Sequence, residues 1–237
     1  MSKKKKRTVT LVLVVLGCLV CTLLLAGLAI WRSGQVQQEQ RDDVAVSGKG
    51  QQKEYNFFWN GDETLFTRTD VVVFDVRYDE TDKDILCELS LLLAEKLKKK
   101  GIQPIFLGAE SDGELRSSLL QREEMDMYIG LCVGSDDVEV LGTLCYYNDA
   151  NYVPEYNNVW LCDRLLQNVV TEISGKALGM ETCEDRDLMV GLSVPSALLQ
   201  IGYETNELEG ELLRKKEYLE LIATGIVKTV EEYYEDR

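Results

Sequence analysis

Histidine is missing from all 237 residues, and that one absence removes several chemistries. No imidazole can serve a serine or cysteine nucleophile, so Ser193 and Ser196 have no base partner, and Cys132 has none in view. Histidine-containing zinc sites cannot form. A glycine-rich phosphate cradle of the Walker or Rossmann type is also lacking, as is any internal repeat. The acidic patches Glu123-Glu124 and Asp136-Asp137 lack the spacing of a calcium loop and read as solvated faces. Positive charge is scarce after Arg32. Six of the 26 basic residues lie in 1–32 with no acid among them, so the other 20 face all 41 acids, a charge of −21 within the total of −15. Such a body does not neutralise phosphates, which excludes nucleic acid as a partner.

What is present begins with an anchor. Lys3–Arg7 is a basic cluster, and the 24 residues Thr8–Trp31 form an uncharged run rich in Val and Leu. As a helix this run spans roughly 36 Å, enough to cross a hydrocarbon core of about 30 Å. The expected organisation is a cytoplasmic basic tail (1–7), a transmembrane helix (8–31), a polar Gln-rich stalk (32–54) and an extracytoplasmic domain (55–237). Ala26-Gly27-Leu28-Ala29 offers the alternative of a cleaved signal peptide, although the run is longer than a usual signal core. Val15-Leu16-Gly17-Cys18 loosely resembles a lipobox, but the apolar run continues past it. Cys18 and Cys21 fall inside the span. Cys87, Cys132, Cys145, Cys162 and Cys183 lie beyond it, odd in number and irregular in spacing. They read mostly as buried small hydrophobes, with one disulfide possible and no pair selected.

Strands and helices then alternate. Asp70–Asp75 is a short continuous apolar run, the pattern of a strand buried on both faces. Asp82–Lys100 has apolar residues three and four apart, three lysines in its last turn and Gly101 as a stop. Further strands are expected at Pro104–Leu107, Met127–Val133, Gly142–Tyr147, Leu188–Leu192 and Ala197–Ile201. Helices are expected at Asp112–Glu124, Asn157–Ser174 and Lys215–Tyr234. The aromatic cluster Tyr55–Trp59 reads as a flap packed on the domain. The rhythm implies an α/β fold, a mostly parallel sheet with helices on both faces.

Several segments carry a resemblance in a fixed order. Pro195–Asn206 is an apolar strand ending in Gly202-Tyr203-Glu204-Thr205-Asn206. Before it come Asp75-Val76-Arg77-Tyr78, Asp82-Lys83-Asp84, Ala94-Glu95-Lys96-Leu97, Leu119 with Arg122, Gly130–Gly134, and Gly142-Thr143-Leu144-Cys145-Tyr146-Tyr147. Together, over about residues 70–235, they resemble the amidase-3 family, the zinc-dependent N-acetylmuramoyl-L-alanine amidases of cell-wall hydrolysis. The resemblance implies a three-layer α/β domain. In the family the first strand ends Asp-x-Gly-His, two histidines and a glutamate hold zinc, and a catalytic glutamate precedes the Gly-Phe/Tyr turn by two residues. By that match the metal positions here are Tyr78, Asp82 and Cys132, and the catalytic position is Gln200.

Those substitutions bear directly on the chemistry. Zinc amidases need a metal to acidify a bound water and a carboxylate to move its proton. A phenol replaces imidazole poorly, and an amide cannot act as a base. Glu204 follows the glycine and, by the resemblance, is expected to point away from the cleft. The expected protein is therefore a membrane-anchored, catalytically inactive amidase homologue without zinc, on the outer side of a bacterial cytoplasmic membrane. Tyr78, Asp82, Cys132 and Gln200 are its candidate cleft residues for peptidoglycan or a muramyl peptide, and a cell-wall or sporulation protein is a further candidate partner. Two alternatives stay open: an active amidase with a metal site built from Asp82 and Cys132, and a purely protein-binding subunit of a membrane complex.

Overall fold

Val71–Val76 (β1) is buried along its whole length, because both faces of this strand are covered. In the computed structural model the described residues are 57–62, 65, 70–109, 111, 113–120, 124–135, 138–149, 157–183 and 192–235. The expected tail, transmembrane helix and stalk lie outside them. No helix among the described residues is long and apolar enough to cross a membrane.

After β1 come α1 (Lys83–Lys99), β2 (Gln103–Leu107), α2 (Gly113–Leu120), β3 (Met127–Gly134), β4 (Thr143–Tyr147), α3 (Asn158–Ile173), β5 (Ala177–Thr182), β6 (Ser196–Tyr203), α4 (Glu207–Leu213) and α5 (Lys216–Glu235). The strands form one sheet in the order β2-β1-β3-β6-β4-β5. Among the described residues four of the five pairings are parallel, and β4 against β6 is antiparallel. The expected mostly parallel α/β sheet is therefore observed.

Alternation along each strand separates two cores. Val72, Phe74 and Val76 of β1, Met127, Ile129 and Leu131 of β3, and Ala197, Leu199 and Ile201 of β6 face α1, α3 and α5. Val71 and Val73 face the other way, with Ile105, Leu107, Tyr128, Trp59 and Leu119 of α2. Helices thus cover both faces. Each helix turns an apolar stripe inward, as with Leu86, Leu89, Leu93 and Leu97 of α1. Truncating one of these leucines to alanine removes about 2–5 kcal/mol of stability. Polar contacts fix how α3 meets α5: Asn168 Nδ2 donates to Thr229 Oγ1 at 3.0 Å, and Arg164 Nη2 pairs with Glu232 at 2.8 Å.

Of the aromatic flap, Tyr55 and Asn56 lie outside the described residues, and residues 57–59 are packed as expected. Trp59 is buried, its backbone N–H donates to Phe106 O at 2.7 Å and its indole Nε1 to Asp62 O at 3.0 Å, while Phe57 meets Phe106 edge-on. Two elements have no counterpart in the sequence reading, the edge strand β5 and the short helix α4. The strand expected at Leu188–Leu192 falls largely on residues outside those described, and Leu192 itself is not in a strand. Among the described residues the five cysteines form no disulfide. Cys87, Cys145 and Cys162 are buried, and Cys132 and Cys183 are half-buried.

Candidate functional site

The carboxyl ends of β1, β3 and β6 place three candidate groups in a row. Cys132 and Gln200 are direct ladder partners across β3 and β6. On the other side of β3, Arg77 N donates to Leu131 O at 2.9 Å, one step past the end of β1. Leu131 and Leu199 face α1, α3 and α5, so Cys132 and Gln200 project from the opposite face, where Asp75 and Tyr128 also lie.

Arg77 was not among the residues singled out from sequence. It stands where the resembled family has glycine. Its Nε and Nη2 both donate to Asp75 Oδ2 at 2.8 Å. Arg116 of α2 pairs with Asp75 Oδ1, and Tyr128 Oη donates to Asp75 Oδ2 at 2.7 Å. Asp75 is completely buried, a position an ionised carboxylate tolerates only when so surrounded. Burial and the adjacent Asp75 charge push the Tyr128 phenol well above its usual range. One carboxylate between two guanidiniums leaves this corner of the site positive. The spacing of Asp75 and Arg77, two apart at a strand end and so on one face, was the available sequence signal.

Across the row lie carboxylates. Asp82 occupies the N-cap of α1 but makes no side-chain cap bond. Its Oδ1 instead accepts the Asp79 N–H at 2.7 Å. Asp82 is only 5 % exposed, and burial, followed by the charges of Asp79 and Glu204, pushes its carboxyl up to about 6. Glu204 corrects an expectation. It does not point away: its Oε1 receives Thr81 Oγ1 at 2.6 Å, which brings it beside Asp82. The cause is the turn after β6. Gly202 has φ +155°, and a Cβ there would sit 2.8 Å from the Glu209 carboxyl carbon. Glu209 is buried and accepts the N–H of Tyr203 at 2.7 Å and of Gly142 at 3.0 Å. Asn206 caps α4 through the Glu209 N–H at 3.1 Å. This latch folds the chain back and carries Glu204 over the N-terminus of α1.

The Cys132 thiol sits between the two charge sets. Burial pushes it up to about 12, opposed by Arg77 and reinforced by Asp82. Gln200 is 6 % exposed. Its amide reaches over Gly134, where any Cβ would come within 2.5 Å of Nε2 and 2.6 Å of the Tyr203 ring, and Nε2 has no hydrogen-bond partner among the described residues. Tyr78 is placed differently. Its ring lies 5.8 Å from Phe58, Lys83 Nζ stands 5.3 Å over it, and its hydroxyl approaches Gly108.

These donors do not fit zinc. Among the described residues no three His, Cys, Asp or Glu side chains come together as a metal-holding group. The Tyr78 ring is engaged with Phe58, and a phenol replaces a neutral imidazole ligand poorly. No hydrolytic step follows from this donor set. The arrangement offers instead a guanidinium, an amide and a group of carboxylates around a half-buried thiol.

Comparison with known proteins agrees with this fold. The solved catalytic domain of CwlV, an N-acetylmuramoyl-L-alanine amidase from Paenibacillus polymyxa var. colistinus, superposes with a TM-score of 0.61 at 16 % identity, covering 71 % of this chain and 100 % of that one. AmiC2 of Nostoc punctiforme gives 0.60 at 20 % identity over 70 % and 97 %. CwlD of Clostridioides difficile, solved in complex with the GerS lipoprotein, gives 0.60 at 15 % over 71 % and 100 %. At these identities the likeness shows the fold. The protein YqiI of Bacillus subtilis (strain 168) is 25 % identical over 159 residues, 65 % of this chain and 75 % of its own. Residues 75–232 match the family model described as N-acetylmuramoyl-L-alanine amidase, and the chain belongs to that amidase-3 family.

Proposed function

We propose that this chain is a catalytically inactive member of its family that binds a muramyl peptide of peptidoglycan in the inherited cleft, held to the outer face of a bacterial cytoplasmic membrane by residues 8–31. The carrying observation is Gln200. It occupies the position of the family's catalytic glutamate, and its buried amide nitrogen has no partner among the described residues. An amide at that place donates and accepts hydrogen bonds but moves no proton. Losing a positioned acid/base costs typically 10²–10⁴-fold in rate, and the donor set around it does not assemble a zinc site. Binding survives such losses, because recognition needs only matched polar groups on a fixed frame.

The test uses the full-length purified chain in detergent with peptidoglycan sacculi. Saturable co-sedimentation, weakened by Gln200→Ala, with no stem-peptide release at added zinc, is the expected result. Zinc-dependent release by the unmodified chain overturns it.

A surface feature favours a second reading, docking of a protein partner. Leu208 of α4 is 71 % exposed, and Leu212, Val138 and Leu141 are exposed beside it. Asn206 Nδ2 ties Val138 O to the start of α4 at 2.9 Å. The GerS lipoprotein found on CwlD shows that this fold can carry a partner. Leu208→Glu abolishing function while sacculus binding persists selects this reading.

A further inference from the structure

The cleft is electrically divided. Asp79, Asp82 and Glu204 form one wall. Asp79 Oδ1 accepts the Thr81 N–H at 2.7 Å, and Thr81 Oγ1 stands 2.6 Å from both Asp79 Oδ1 and Glu204 Oε1, its one proton serving one of the two carboxylates. Asp82 takes a single backbone N–H. Among the described residues no lysine or arginine forms an ion pair with any of the three.

The other wall is positive. Arg77 shares Asp75 with Arg116, so two guanidiniums divide one carboxylate. Next in the row, past Cys132, comes the Gln200 amide, more than nine-tenths buried and with no partner for Nε2. Glu204 N donates to Gly134 O at 3.0 Å and Arg77 N to Leu131 O at 2.9 Å, so both poles meet the carboxyl end of β3, on either side of Cys132 in sequence. The positive wall departs from the family pattern. Glycine has become Arg77 and the catalytic glutamate has become Gln200, adding a cation and removing an anion on the same side.

We propose that the cleft recognises a zwitterionic amino-acid centre, with its carboxylate received by Arg77 and Gln200 and its ammonium by Asp79, Asp82 and Glu204. A ligand with both charges matches both walls through charge-assisted hydrogen bonds. A ligand with one charge blocked leaves the buried Asp82 or the buried Gln200 unmatched, which is how polar sites discriminate. The inference rests on the reading of this cleft as a muramyl-peptide site and names the part of the peptide it reads.

The experiment is isothermal titration calorimetry of the full-length chain with a muramyl tripeptide ending in a diamino acid whose side chain carries a free ammonium and carboxylate. Two derivatives accompany it, one with that carboxylate amidated and one with that amine acetylated. Each block is expected to weaken binding at least tenfold. Arg77→Gln should erase the preference for acid over amide, while Arg77→Lys, which keeps the charge, retains part of it. The double variant Asp79→Asn/Glu204→Gln should erase the preference for amine over acetamide. Equal affinity for all three compounds overturns zwitterion recognition and leaves the muramyl-peptide reading standing. Binding of none of them removes both.

Discussion

Thr81 Oγ1 and Glu204 Oε1 lie 2.6 Å apart although 123 positions separate them in the chain. This contact joins the turn after β6 to the loop that opens α1, and it adds the Glu204 charge to the field at Asp82. A carboxylate that is buried, faces two others and has no counter-ion is unfavourable in its charged form.

That unfavourable charge has a pH signature. The folded-state value of Asp82, about 6, lies above the 3.8 of an ordinary aspartate. Below about 3.8 the carboxyl is protonated in both states, so it costs nothing. Between 3.8 and 6 the unfolded chain releases the proton while the folded one holds it, and stability falls as pH rises. Above 6 the loss is complete. Asp82→Asn keeps the Oδ1 acceptor for the Asp79 N–H and removes the charge. It should stabilise the protein by on the order of 1–3 kcal/mol at pH 8 and hardly at all at pH 3.5. Thermal melts at the two pH values check this, and an equal shift at both refutes the charge argument.

Restoring the family's acid should not restore its chemistry. Gln200→Glu places a carboxylate in a buried position beside Cys132, without the imidazoles that would complete a zinc site. The variant should release no stem peptide from sacculi at added zinc. Burial of the new charge should also lower stability at pH 8 by about 1–3 kcal/mol. Zinc-dependent hydrolysis by this single variant would show that Asp82 and Cys132 suffice as ligands.

The legible parts of this molecule were those whose cause is local. Val71–Val76 announces a buried strand because both its faces are covered, and the leucines of α1 announce their helix by spacing alone. β5 escaped because it is an edge strand with mostly exposed residues and no apolar run. α4 escaped because it holds one turn more than a cap motif. The site was half legible. Gln200, Cys132 and Asp82 were found, yet Arg77 acquires meaning only from Asp75 together with Arg116 and Tyr128, the last two 41 and 53 positions from Asp75. Glu204 was misplaced because the Gly202 turn, latched by Glu209, decides its direction, and a latch between β6, α4 and the loop before β4 leaves no periodic trace.

Glu209 is therefore expected to matter more than its place on a seven-residue helix suggests. Its carboxylate is the acceptor for the Tyr203 and Gly142 N–H groups, both buried. Glu209→Ala strands these donors and should cost about 2–4 kcal/mol, since each unmet buried group costs roughly 1–3 kcal/mol. Glu209→Gln keeps one acceptor oxygen and should cost less. Denaturant melts rank the two. If the order is reversed, the carboxylate is not the element that holds the turn.

Thiol reactivity reports on the row itself. A Cys132 thiol held near 12 is thiolate in only about one molecule in 10⁴ at pH 8, whereas an ordinary cysteine with pKa about 8.5 is roughly a quarter ionised. Iodoacetamide should therefore modify Cys132 about 10³-fold more slowly than a free cysteine in the native protein, and at the ordinary rate once the chain is denatured. The charges on either side act in opposite senses. Arg77 favours the thiolate and Asp82 opposes it, so Asp82→Asn should speed the reaction and Arg77→Gln should slow it further. Peptide mass spectrometry at timed intervals separates Cys132 from the fully buried Cys87, Cys145 and Cys162, which are closed to reagent by access rather than by ionisation. Opposite responses to the two substitutions would place the thiol between the two walls of the cleft, and a common response would show that Cys132 reports only its burial.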